Sequence, residues 1–191
     1  MKAKFNYVNV TFLNFSWKCI DLSNKLLVPN DVNEIPYECN KEKNIKFFGN
    51  ALSETWKLNI KIKILDISYN TIDNWTQMMK NLIYLDVSGN PLDDLSLHYF
   101  PVIQFLFCSY CGLQRLKGHS HTLQYLICND NLLTNLPLQL PEILYIKATQ
   151  NKSIKINNKC YPKLTTLLID EVDKVEENKK AEDYGKTFEE W

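Results

Sequence analysis

ILDISYNTI, residues 64–72, returns one step along the chain as YLDVSGNPL, residues 84–92. Both follow one template: apolar, any, apolar, two small or polar residues, Asn, any, apolar. With the preceding apolar position added, the first copy reads Ile62, Leu65, Ile67, Asn70, Ile72, and the second Leu82, Leu85, Val87, Asn90, Leu92. The register continues through Ile103, Leu106, Cys108, Cys111, Leu113, and then Leu123, Leu126, Cys128, Asn131, Leu133. A fifth copy, Ile143, Ile146, Ala148, Asn151, reaches its last apolar residue one place late, at Ile154. Leu164, Leu167 and Ile169 form a terminal copy with Val172 in the Asn slot, and Ile45, Phe47, Asn50 and Leu52 fit the frame upstream. The Asn slot therefore falls at 50, 70, 90, 111, 131, 151 and 172, always 20 or 21 residues apart.

Such a period belongs to solenoids, in which no repeat buries its apolar face alone and stacking completes the core. Apolar-x-apolar in an extended segment aims both side chains the same way. Where the chain leaves the strand, buried backbone groups need partners. An inward Asn, with two donors and a carbonyl acceptor, can serve its own coil and the next. The expected ladder is Asn50, Asn70, Asn90, Cys111, Asn131 and Asn151.

The pattern resembles the leucine-rich repeat family, whose signature L-x-x-L-x-L-x-x-N/C-x-L accepts Cys in the Asn slot. The period is short for that family, and NLPLQLPEILYI (135–146) is similar to the repeat phrase of its bacterial effector subclass. The resemblance implies an α/β-type solenoid, predominantly β. It would be a right-handed superhelix with a short parallel concave sheet and a mostly non-helical convex side. Extended or single-turn 3₁₀ segments are expected on that side, with helical turns over 71–81 and 93–101. Residues 1–40 then form an N-terminal cap and irregular first coil, 41–172 the repeats and 173–191 a charged tail. Within the cap, 5–22 reads as a hairpin or strand. Extracellular members of the family carry multi-cysteine caps, whereas only Cys19 and Cys39 are present here.

In this family the residues flanking and between the inward pair form the concave, partner-binding face. The column before the first inward residue reads Ile64, Tyr84, Phe105, Tyr125, Tyr145, and the column between the pair Asp66, Asp86, Phe107, Ile127, Lys147. Ser68, Ser88, Ser109, Asn129 and Thr149 follow, and then Tyr69, Gly89, Tyr110, Asp130 and Gln150. At the usual strand spacing the aromatic run would form a stripe about 15 Å long. Exposed aromatic patches mark protein interfaces. The expected contact residues are Tyr84, Phe105, Phe107, Tyr125, Ile127, Tyr145, Asp66, Asp86, Tyr110 and Lys147. The competing account is that strand propensity favours aromatics and their stacking only stabilises the sheet.

Other chemistry finds little support. His98, His119 and His121 belong to no catalytic motif, and no phosphate loop or nucleophile elbow occurs, so no enzyme and no cofactor are expected. FCSYCGL (107–113) contains a C-x-x-C that, with Cys128, His119 and His121, has the ingredients of a zinc site. The register explains each cysteine otherwise: Cys108 and Cys128 are small core residues, Cys111 a ladder residue. No metal is expected. Lys+Arg and Asp+Glu are both 22, which offers nothing to nucleic acid. Neither a signal peptide nor a membrane-spanning run is read, and six sparse cysteines suit a reducing, cytoplasmic setting. Sequons stand at Asn9, Asn14, Asn74 and Asn151, the last inside the ladder.

The expectation is thus a monomeric, non-catalytic protein-interaction module that binds a protein or peptide on its concave face. The alternatives are a secreted or surface recognition receptor with a Cys19–Cys39 disulfide and used glycosylation sites, and a structural scaffold with no dedicated partner.

Overall fold

Each repeat contributes a three-residue strand centred on the first residue of its apolar-x-apolar phrase, and these strands stack in parallel. The computed structural model describes residues 7–12, 15–21, 23, 44–50, 52 and 61–170. Strands β1 (Tyr7–Phe12) and β2 (Phe15–Asp21) make an antiparallel hairpin, as expected for this stretch. β2 then pairs in parallel with β3 (Asn44–Lys46) through Ile20 opposite Ile45. From there the ladder runs through β4 (Ile64–Asp66), β5 (Tyr84–Asp86), β7 (Phe105–Phe107), β9 (Tyr125–Ile127), β10 (Tyr145–Lys147) and β11 (Thr166–Leu168). Ile45, Leu65, Leu85, Leu106, Leu126, Ile146 and Leu167 lie directly opposite one another along it. Seven parallel strands delimit about six turns of a β-solenoid.

The interior is one continuous apolar column. Leu65, Leu85, Leu106, Leu126 and Ile146 are fully buried, as are Ile67, Val87, Cys108, Cys128 and Ala148 behind them. The late Ile154 still reaches the core, and the extra residue is absorbed near Ser153, where φ is +30°.

The Asn ladder closes the turn after each strand. Asn70 Nδ2 donates to Phe47 O (3.0 Å) in the preceding coil and to Ile67 O (2.8 Å) in its own. Its Oδ1 accepts the Leu52 N–H at 3.2 Å. Asn90, Asn131 and Asn151 repeat the arrangement one coil at a time. Asn151 donates to three carbonyls, so the amide of that sequon is already committed to the fold. At Cys111 the thiol lies 3.3 Å from Val87 O and from Ser109 O, but it supplies no counterpart of Oδ1. Leu92 N–H turns instead to the carbonyl of Asn90, at 2.8 Å.

The residue before each ladder position takes the left-handed conformation: φ is +66° at Gly49, +54° at Tyr69, +69° at Gly89, +56° at Tyr110, +53° at Asp130 and +56° at Gln150. This conformation turns the chain so that the next side chain points inward. At Gly89 space adds a second demand, because a Cβ there would stand 2.8 Å from Cδ1 of the Tyr69 ring.

The return side differs from expectation. Among the described residues there is no α-helix, so the fold is a β-solenoid and the α component of the expected class is absent. A 3₁₀ turn at Leu97–Tyr99 falls within 93–101, none occurs over 71–81, and another stands at Asn158–Cys160. A period of 20 or 21 residues leaves only about ten for the return, which extended chain crosses more directly than helix at 1.5 Å per residue. Two of these returns pair as a second parallel sheet, β6 (Asp94–Ser96) with β8 (Arg115–Lys117). Its inward residues Leu95 and Leu116 continue the line of Trp75 and Leu136, all buried.

Candidate functional site

The outward face of the long sheet is where the expected contact residues stand, and the structure divides it in two. At its N-terminal end Ile64, Tyr84 and Phe105 are buried, packed with Cys19 in a second apolar cluster distinct from the interior column. Tyr84 retains 5% of its surface and Phe105 1%. The expectation that these two rings stand exposed is therefore corrected: in the same column as Cys19, they form the floor of a small core. Burial, then the carboxylates of Asp86 and Asp66 and then Cys19, push the Tyr84 phenol far up, so it stays protonated.

Beyond Phe105 the face opens. Phe107, Tyr125, Ile127, Tyr145 and Lys147 are all half-buried, and Leu168, next in line after Lys147, is 38% exposed. The rings follow one another along the sheet. Phe105 and Tyr125 stack with centroids 5.3 Å apart and planes at 11°, and Tyr145 follows at 6.1 Å from Tyr125. Tyr84 leans on Phe107 at 5.1 Å.

The acidic pair has its own local structure. Asp66 Oδ1 accepts from Ser68 N–H (3.1 Å) and hydroxyl (2.6 Å), and Asp86 Oδ1 accepts from Ser88 N–H at 3.0 Å. Asp66, itself buried, pairs with Lys46 at 3.4 Å. It is thus committed within the chain rather than exposed as a contact residue. Asp86 stands beside it on the next strand, and burial first, then the Asp66 charge, raises its carboxyl to about 6.

A group whose folded pKa is raised adds stability that is complete below its unfolded value and is lost as pH rises through the folded one. The cost of Asp86 should thus accumulate as pH rises from 3.8 to about 6 and stand at its full value above that. Asp86→Asn, which keeps an acceptor for Ser88, is expected to stabilise by on the order of 2 kcal/mol at neutral pH, allowing for solvent screening. Near the ordinary carboxylate pKa it should do almost nothing. Urea unfolding at both pH values measures this, and an equal gain at each would show that the carboxyl is not perturbed.

The next column is used internally, which sequence reading did not foresee. Ser88 Oγ accepts Ser109 N–H (3.2 Å), Ser109 Oγ accepts Asn129 N–H (3.0 Å), and Asn129 Oδ1 accepts Thr149 N–H (3.1 Å) and hydroxyl (3.0 Å). This second polar ladder runs parallel to the Asn ladder and withdraws those groups from a partner. Its signal was the unbroken run of small polar residues at that slot.

On the rim, Tyr69 and Tyr110 are 53% and 61% exposed. Tyr69 meets Phe48 at 5.2 Å, and the Asp130 charge and hydrogen bond raise the Tyr110 phenol.

The zinc ingredients do not assemble. Cys108, Cys111 and Cys128 are buried, His119 and His121 lie exposed on the return side, and no group of three potential ligands occurs among the described residues. The hydrogen bond with the neighbouring thiol of Cys128 and then burial push Cys108 well up, and burial lifts Cys111 to about 11, so both remain thiols. Among the described residues no helix is long and apolar enough to cross a membrane. Cys39, the expected partner of Cys19 in the receptor alternative, lies outside the described residues, as do most of the cap and the charged tail over 173–191.

No protein-family model matches the chain, and no curated protein matches it in sequence.

Proposed function

We propose that the chain is a leucine-rich-repeat-type solenoid that acts without catalysis, docking a protein or peptide on the outward, concave face of its long sheet. The reading places this activity in the cytoplasm, without metal or cofactor. The observation that carries it is the half-open apolar stretch over the last four strands, where Ile127, Tyr145 and Leu168 stand beside Lys147. A sheet face that served only the fold would be expected to end in polar side chains there, whereas apolar surface rimmed by charge is what interfaces bury. Contact thus shifts from Tyr84 and Phe105 to the C-terminal half, with Tyr125 and Phe107 at its margin.

The burial of Tyr84 and Phe105 favours the scaffold alternative for the N-terminal half, and one experiment separates the two readings. Bait protein and an Ile127→Asp, Tyr145→Ala variant of equal melting temperature are compared by affinity capture in reducing buffer. The expected result is loss of the specific partner by about thirtyfold, or 2 kcal/mol. Recovery of the same proteins in the same amounts would sink the proposal and leave the scaffold.

A further inference from the structure

The return side carries a feature that the repeat does not require. β6 and β8 pair in parallel, and further along Asn135 and Lys155 form a bridge. Between these two pairings the ladder stops: among the described residues no backbone hydrogen bond joins 115–117 to 135–137. The next contact of that kind is Ser120 N–H to Gln139 O, at 3.1 Å. Pro137 supplies the cause. It has no N–H to give to the β8 edge, and its carbonyl is taken by the hydroxyl of Tyr161 at 2.9 Å. On the long-sheet side the same two coils remain fully paired through β7 and β9.

An open groove of about 540 Å³ lies at this break. Arg115, Lys117 and His119 form one bank, and Asn135, Pro137 and Leu138 the other. Leu138 is 63% exposed. No carboxylate and no Phe, Tyr or Trp lines the groove. The nearest acid, Asp94, already holds Arg115 through two hydrogen bonds of 2.7 Å and Lys117 through a third of 2.7 Å. These bonds draw its carboxyl down to about 2, and the cluster keeps one positive charge in excess. The surrounding chain has the same sign: residues 111–163 hold seven Lys and Arg against two acids, a net +5 in a protein of net charge zero.

We propose that this groove is a second docking site, which takes an extended acidic segment of a partner protein with an apolar side chain against Leu138. The excess charge at Lys117 selects carboxylates, the break offers the unpaired strand edge, and Pro137 with Leu138 gives an apolar anchor point. A nucleic acid suits the site less, because single strands are held by stacking on successive aromatic side chains and the groove offers only the His119 imidazole. The site is on the opposite side of the coil from the long sheet and is independent of the concave reading.

The test uses the full chain and a labelled peptide of alternating Glu and Val, followed by fluorescence anisotropy, with its Gln–Val analogue and an oligothymidylate as competitors. The peptide is expected to bind, and Lys117→Glu to weaken it about tenfold. Asp94→Asn, which releases both cations, is expected to tighten binding several-fold, a gain that a structural role for Asp94 would not produce. Lys117 and Leu138 are exposed, so their substitution should leave the melting temperature unchanged, and Leu138→Ala supplies a second weakening variant without a charge change. The proposal is overturned if the peptide does not bind, if Gln–Val binds as tightly, or if Lys117→Glu and Asp94→Asn leave the affinity unaltered. Tighter binding of oligothymidylate through Lys117 would overturn the choice of a protein partner.

Discussion

Asn90→Ala is expected to destabilise the solenoid by about 3 kcal/mol, since a stranded buried group costs about 1–3 kcal/mol and two carbonyls each lose one of their donors besides. Asn90 is fully buried. Its Nδ2 donates to Ile67 O (3.0 Å) and Val87 O (2.8 Å), and its Oδ1 accepts Ile72 N–H at 3.0 Å. Alanine removes all three bonds without admitting water. Val87 O keeps the Cys111 thiol at 3.3 Å and Ile67 O keeps Asn70 Nδ2 at 2.8 Å, so the cost falls mainly on Ile72 N–H, in the turn of the preceding coil. Asn90→Asp should do worse at neutral pH, because it sets a buried carboxylate against two carbonyls.

The converse exchange tests the same account. Cys111→Asn would offer Leu92 N–H the side-chain acceptor that its counterparts have, in place of the Asn90 carbonyl, and a gain of about 1 kcal/mol is expected. Chemical denaturation of the three variants reads all of these. A loss at Asn90→Ala no greater than that of an average surface change would mean that the ladder does not hold the turns.

How far these positions could be read from the chain depended on which side of the coil they face. The interior was legible because its residues are constrained twice, by apolar alternation within the strand and by the Asn step between strands. Even Cys108, Cys111 and Cys128 yielded to that register. The outward column was not, since strand-forming aromatics look alike whether they await a partner or floor a second core. Tyr84 and Phe105 proved to be the second kind, whereas Tyr145 stays half-buried where the face is open. Ser109 and Asn129 were similarly ambiguous: a small polar residue on a strand can face water or accept the next coil's N–H. The return side was least legible, because D-L-S and R-L-K carry one inward residue each and three residues set no period. Trp75 and Phe100, which anchor it, lie between the template positions.

The larger of the core predictions concerns that side. Phe100→Ala is expected to cost about 3–5 kcal/mol, the usual range for a fully buried phenylalanine, whose loss combines transfer and cavity terms. Phe100 is 0% exposed and meets Trp75 edge-on at 5.0 Å and 67°, a geometry favoured by the ring quadrupoles. It sits three residues before the first apolar position of the next copy, Ile103, as Met79, Ser120, Leu140 and Tyr161 do in theirs, all buried. Its backbone also closes the return, accepting from Ile103 N–H (3.2 Å) and donating to Leu97 O (2.9 Å). A substitution there therefore acts on the 3₁₀ turn and on the entry to β7 together. Phe100→Leu fills most of the space and should recover more than half of the loss. In urea the transition of the Ala variant is expected to move as a whole, because each coil is stabilised by its neighbours. A loss under 1 kcal/mol would mean that the paired strands alone hold the coils together and the return side merely spans them.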